Sequence, residues 1–211
     1  MVVQDTNAAK VRLSKWMRLL HIYSSMLVLI LLLFFAATGI TLNHPEWQSE
    51  LGASSAQQQL TLPEPFQQLQ WTEDELQQAA QASKIADWLR QQHQVQGAVF
   101  QFNFDPDEQL LELDFKRPAG YSNAVIDLAG GEVELNTEFA GTLALLNDLH
   151  KGRYAGSSWK WLIDLTAVAC LLFGLTGFYL LWRQPSRRRS GVNTAIAGLV
   201  VLLLAYVAAL H

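Results

Sequence analysis

A single cysteine, Cys170, stands in 211 residues, so a disulfide scaffold is excluded and so is the Cys-x-x-Cys-His attachment of a c-type haem. The P-loop, the nucleophile elbow, the zinc-protease HExxH and the dinucleotide fingerprint are all missing, which leaves no soluble catalytic site recognisable by motif. Charge is sparse at 16% of residues, and it disappears altogether from three long stretches. The basic residues form short clusters beside apolar runs rather than one patch, which argues against a nucleic-acid surface.

The formal net charge of −4 conceals how the charge is distributed. Of 19 acidic residues, 17 fall between Glu46 and Asp148. Residues 43–158 carry those 17 acids and only 6 bases, which leaves −11. The N-terminal tail is +3, from Lys10, Arg12, Lys15 and Arg18 against Asp5, and the run from Arg183 to Arg189 is +4. An even surface charge on a soluble domain does not have this form.

Between Arg18 and Glu46 there is no charged side chain, and Met26–Ala37 is unbroken Leu, Val, Ile, Phe, Ala and Met. A bilayer span needs about 20 apolar residues. A second uncharged run of 18 residues separates Asp164 from Arg183, with Trp161 and Trp182 near its two ends as an aromatic belt, and a third runs from Ser190 to His211. The pattern predicts three transmembrane helices over about 19–42, 159–182 and 193–211, with residues 183–192 as a basic loop. The Lys/Arg bias of short flanks puts the N-terminal tail and that loop in the cytoplasm. Residues 43–158 and the C-terminus then lie on the other side. The first apolar run is too long for a cleaved signal peptide, and Ala36–Gly39 is a poor cleavage site.

Residues 43–158 are long enough to fold as one module. Gln57–Gln59, Gln67 and Gln68 with Pro63 and Pro65 read as a linker. Thr72 followed by Glu75 reads as a capping box opening a helix to about His93. Its predicted buried face holds Leu76, Ala79, Ala80, Ser83, Trp88 and Leu89. Phe100, Phe102 and Phe104 alternate with polar residues, as do Leu111, Leu113 and Phe115, which is the period of a sheet with one wet face. Asp105-Pro106-Asp107 turns between these strands, and Ala129-Gly130-Gly131 turns between strands at 121–128 and 132–138. A helix on about four antiparallel strands is an α+β module.

The order of these pieces resembles a known family. The run "YSNAVIDLAGGEVEL" is similar to the last hairpin of the PepSY domain. "LHIYSSMLVLILLLFFAATGITLNHPEW" and "LNDLHKGRYAGSSWKWLIDLTAVACLLFGLTGFYLLWRQPSRR" resemble the PepSY-associated transmembrane helices. The resemblance covers nearly the whole chain. Larger members have four or more spans and duplicated modules, and some are siderophore-iron reductases with haem in the membrane; here there are three spans and one module. The resemblance implies a bacterial inner-membrane protein, α-helical in the bilayer with one extracytoplasmic PepSY-like module. It further implies a haem-dependent electron-transfer role linked to iron or siderophore reduction. Two other roles fit the same pieces: an interaction protein whose sheet edge accepts a periplasmic partner or peptidase, and an accessory subunit of a larger reductase or transport complex, or of a homo-oligomer.

Four of the five histidines lie at or near span boundaries, and a neutral imidazole there can be an axial ligand of haem b. His21 opens the first span, with Ser24 and Ser25 one turn on and Arg18 one turn before as a propionate partner. His44 follows 23 residues later, roughly 34 Å along a continuous helix, so these two cannot share one iron within a chain. His44, in Asn43-His44-Pro45, and His150, before the second span, are expected on the same outer side and form the preferred ligand pair. Lys151 and Arg153 would pair with propionates. His211 is a substitute outer ligand, and His93 is read as solvated. The other reading of each boundary histidine is an interfacial anchor. Thr38-Gly39 and Thr176-Gly177 near the span exits are either a cofactor slot or tight helix packing. Asp164 is either an intramembrane functional carboxylate or the partner of Lys160 one turn earlier. Cys170 reads as a small packing residue, and Arg187–Arg189 as a topology signal touching anionic lipid.

Overall fold

The structure, a computed structural model, describes residues 2–47, 51–72, 74–97 and 99–210, with side chains described in the same stretches apart from residues 2–10, 99 and 100. It divides into two compact units, Phe34–Ile163 and Met1–Leu33 with Asp164–His211.

The second of these units is helical. It holds the greater part of α1 (Val2–Asn43), most of α5 (Ser157–Trp182) and all of α6 (Pro185–Ala209). Three helical stretches, Val11–Asn43, Ser157–Trp182 and Pro185–Ala209, are long and apolar enough to cross a membrane. Their side chains are mostly exposed, and α6 buries none. In water that surface would be untenable; in a bilayer it is the surface that lipid solvates, because α-helices satisfy their own backbone hydrogen bonds there. The expected basic loop over 183–192 is shorter than its charge suggested. Pro185 sits in the first turn of α6, where a missing N–H costs nothing, so Arg187–Arg189 are helical.

The other unit contains a five-stranded antiparallel sheet, one strand more than the sequence pattern predicts. Its order is β1-β5-β4-β3-β2, from β1 (Ser54–Thr61), β2 (Val99–Asp105), β3 (Leu110–Arg117), β4 (Gly120–Asp127) and β5 (Glu132–Phe139). The additional strand is β1, formed by the glutamine-rich stretch expected to be a linker. It pairs with β5 over eight positions, from Ser54 opposite Phe139 to Thr61 opposite Glu132. Its residues have little intrinsic strand preference, and apart from half-buried Leu60 they are exposed. β1 therefore depends on β5 as a template, tertiary context overriding local propensity. A short helix α2 (Glu64–Gln67) follows it.

Helix α3 (Glu75–His93) covers one face of the sheet. Ile85, Ala86 and Leu89 meet Leu111, Leu113 and Phe115 of β3, Ala124 and Ile126 of β4, and Val133 and Leu135 of β5, all buried. Full burial of each large side chain is worth about 1.5–3 kcal/mol. Two expectations for α3 are corrected. The N-cap is Asp74, whose carboxylate accepts from the Leu76 N–H at 3.0 Å, while the Thr72 hydroxyl donates to the Gln77 side chain. The buried face is Gln81, Ala82, Ile85, Ala86 and Leu89, of which Leu89 is where the pattern placed it. Leu76, expected inside, is 82% exposed, because it belongs to the first turn, ahead of the part of the helix that meets the sheet.

After β5 the chain forms α4 (Thr142–Lys151), which the strand and span patterns did not anticipate. Gly152, in the left-handed region at φ 65°, ends it. The amides of Gly152 and Arg153 donate to the carbonyls of Leu149 and Asp148, a C-terminal cap of the kind glycine favours. This short helix carries His150 in its last turn.

Candidate functional site

In the sheet-containing unit, α4 meets the C-terminal turns of α1. His150 Nδ1 lies 2.7 Å from the Thr38 hydroxyl oxygen. That hydroxyl lies 2.7 Å from the Phe34 carbonyl one turn back, which fixes its proton as a donor to that carbonyl. The Thr38 oxygen therefore accepts, and His150 Nδ1 carries the proton. The Phe35 ring stands edge-on to the imidazole at 5.2 Å. Gly39 leaves room for the ring, since a Cβ there would lie 3.5 Å from His150 Cε1. One turn along each helix, the Thr41 hydroxyl meets the buried Asn147 side chain at 2.8 Å. The Asn147 amide nitrogen is buried without a hydrogen-bond partner among the described residues.

In the helical unit, His21 of α1 docks on α5 in the same manner. Its Nδ1 lies 3.2 Å from both the Phe173 carbonyl and the Thr176 hydroxyl. A carbonyl only accepts, so Nδ1 is again the protonated nitrogen. The Thr176 hydroxyl donates back to the Leu172 carbonyl at 2.6 Å. The Phe173 ring stacks on the imidazole at 4.6 Å. A Cβ on Gly177 would stand 3.1 Å from His21 Cε1. The Ser24 hydroxyl donates to the His21 carbonyl.

The two sockets are chemically alike. Each is the sequence Phe-x-x-Thr-Gly on a membrane-type helix: Phe35-Ala36-Ala37-Thr38-Gly39, and Phe173-Gly174-Leu175-Thr176-Gly177. In each, threonine takes the imidazole proton, phenylalanine meets the ring and glycine clears its edge. Along the chain a histidine precedes each motif, and the histidine of one half docks on the motif of the other. The Thr-Gly pairs stood out in the sequence; their imidazole occupants did not. The signal that was available is the repeat itself, His followed downstream by Phe-x-x-Thr-Gly, read twice.

His44 takes other partners. Its Nδ1 lies 2.8 Å from a Glu46 carboxylate oxygen, and its ring stacks on Trp47 at 4.2 Å, in the 3-10 turn Pro45–Trp47. His150 and His44 thus engage different neighbours. Arg18, Lys151 and Arg153 are exposed. His93 is half-buried, edge-on to Trp88 at 4.8 Å, rather than simply solvated. Cys170 is half-buried and Asp164 exposed. His211 lies outside the described residues. Among the described residues no group of three or more His, Cys, Asp or Glu side chains is placed to hold a metal ion. A haem would ask for one or two imidazoles and not for such a group.

The sheet-containing unit also has an open cleft of about 680 Å³, with Lys116, Arg117, Tyr121, Glu138, Asp148 and Tyr154 in its lining. The Lys116 ammonium sits 5.8 Å from the centre of the Tyr154 ring. The Asp148 carboxylate accepts from the Ala119 N–H at 2.8 Å and so ties α4 to the β3–β4 turn. Tyr121 is pushed up to about 12, first by burial and next by its hydrogen bond to the Asp114 carboxylate.

The profile of one protein family, described as "Putative PepSY_TM-like", matches residues 12–211. No curated protein and no solved structure matches the chain.

Proposed function

The chain belongs to the PepSY_TM-like family, and from that premise we propose that it is a haem b protein of the bacterial inner membrane that carries electrons across the bilayer for the reduction of ferric iron or a ferric siderophore. The observation that supports this reading is the state of two histidines. His21 and His150 each spend Nδ1 on a protein acceptor, and the Nε2 of neither makes a hydrogen bond to another described residue. Metal-ligating histidine characteristically donates its other ring N–H to a fixed acceptor, which sets the tautomer and the ring's orientation. Each imidazole is thus held with its Nε2 lone pair on offer. Haem bound to such ligands supplies an iron whose potential follows the axial ligand and the polarity around it.

The other roles follow from the residues' chemistry. Arg18, Lys151 and Arg153 would pair with propionates as charge-assisted donors. His44 offers a third imidazole, its Nδ1 on the Glu46 carboxylate. The Lys/Arg bias supports the orientation, with the N-terminus and the Arg187–Arg189 turn in the cytoplasm and the sheet module outside. The full chain, purified in detergent, is expected to show a Soret band and a pyridine haemochrome of the b type. His21→Ala and His150→Ala should each remove part of that signal, and His44→Ala tests whether the third imidazole contributes. A protein without haemochrome, however it is supplied with haem during expression, would overturn the reading.

The open cleft favours a second reading, a module that binds a partner outside the membrane. Lys116 and Arg117 line it without an ion pair among the described residues. A stable complex with a periplasmic protein and no chromophore would mark that role.

A further inference from the structure

We propose that Thr38 and Thr176 are positioning residues. Thr38 holds His150, and Thr176 helps to hold His21, in the Nδ1–H tautomer, so that the Nε2 lone pair is the one presented for ligation. The proposal rests on the haem reading for what is ligated, but its first test does not need haem.

A neutral imidazole carries one proton on either nitrogen, and the partner of one nitrogen decides which. In the first socket the decision belongs, among the described residues, to Thr38 alone. Its hydroxyl proton goes to the Phe34 carbonyl at 2.7 Å, and what it turns toward His150 Nδ1, also at 2.7 Å, is an acceptor. Thr38 is 4% exposed, so water does not substitute for it. In the second socket the task is shared. His21 Nδ1 has both the Thr176 hydroxyl and the Phe173 carbonyl at 3.2 Å. Loss of the threonine oxygen leaves the carbonyl in place. The two sockets thus look alike in sequence yet differ in how much depends on threonine. Thr38 is essential to its tautomer and Thr176 contributory.

Valine keeps the shape of threonine and removes the oxygen; serine keeps the oxygen. The test is nitrogen NMR of the full chain in detergent, labelled at histidine and free of haem, with His21→Ala and His150→Ala assigning the signals. In the unmodified chain both rings should show a protonated Nδ1 and a bare Nε2. Thr38→Val should move His150 toward the other tautomer, Thr38→Ser should restore it, and Thr176→Val should shift His21 less. Haemin titration follows as a separate arm. Weakening of about 10- to 100-fold by Thr38→Val, recovered in Thr38→Ser, is the scale expected for loss of a ligand-orienting partner. If the unmodified chain has bare Nδ1 on His150, the proposal is wrong whether or not any variant folds. If Thr38→Val leaves the His150 tautomer unchanged, it is equally wrong. Correct tautomers in a chain that never takes up haemin would uphold the positioning role and overturn the haem reading instead.

Discussion

A single methyl group added at matched glycines separates the two sockets. At Gly39 an added Cβ would lie 3.5 Å from His150 Cε1, an ordinary contact. At Gly177 it would lie 3.1 Å from His21 Cε1, so the imidazole must retreat by about 0.4 Å to reach the same spacing. The hydrogen bonds decide what that retreat does. His21 Nδ1 is already 3.2 Å from each acceptor, and a further shift of up to about 0.4 Å takes them toward about 3.6 Å, beyond hydrogen-bond range. His150 Nδ1 is 2.7 Å from its acceptor and would survive a similar shift. A lost hydrogen bond costs about 0.5–1.5 kcal/mol net, while Gly to Ala in a helix gains up to about 1 kcal/mol. Gly39→Ala should therefore be as stable as the parent or more so, with the His150 signals unmoved. Gly177→Ala should show little net stability change and a lost Nδ1–H signature at His21. Thermal unfolding by tryptophan fluorescence, with nitrogen NMR of the histidines, reads both quantities. Equal disturbance of the two sockets, or none at Gly177, would refute the reasoning from distance.

Three further predictions concern the module. Asp74→Ala should destabilise α3 by about 0.5–2 kcal/mol, the usual cost of a lost N-cap, whereas Thr72→Val should be nearly silent; proteolysis of the module in the full chain measures both. Phe115→Ala, at a fully buried site on β3 beside the edge strand β2, should cost about 3–5 kcal/mol and raise protease sensitivity steeply. Tyr121, pushed up to about 12 by burial and Asp114, favours the folded state while it keeps its proton. That contribution is present below the ordinary tyrosine value near 10 and is lost as the pH rises toward 12. Tyr121→Phe should flatten the fall in stability over that window, as followed by circular dichroism.

What was legible followed from strong local signals. The uncharged runs announced helices long enough to span a bilayer, and Phe102, Phe104, Leu111, Leu113 and Phe115 announced two strands by alternation. What was hidden depended on partners distant in sequence. Strand β1 has no hydrophobic period, and only pairing with β5 makes it a strand. Asp74 and Thr72 are both acceptable caps in sequence, and the difference is which one presents an oxygen to the Leu76 N–H. Leu76 is apolar enough for the core but falls outside the covered turns. The histidines were legible as a set and not as a geometry. His150 lies on a ten-residue helix, α4, that neither period revealed, and its partner Thr38 stands 112 positions away. The Thr-Gly pairs were visible and their purpose was not, because a threonine that accepts from an imidazole resembles a packing residue until both helices are seen together.

The most direct test is a haemin titration of the purified chain, followed by a reduced-minus-oxidised absorbance spectrum, set beside the His21→Ala, His150→Ala and double variants. The account predicts a saturable Soret band and sharp reduced bands in the parent, a partial loss in each single variant, and loss of most of the signal in the double variant. A parent chain that takes up no haemin, or a double variant with the parent's spectrum, would contradict it.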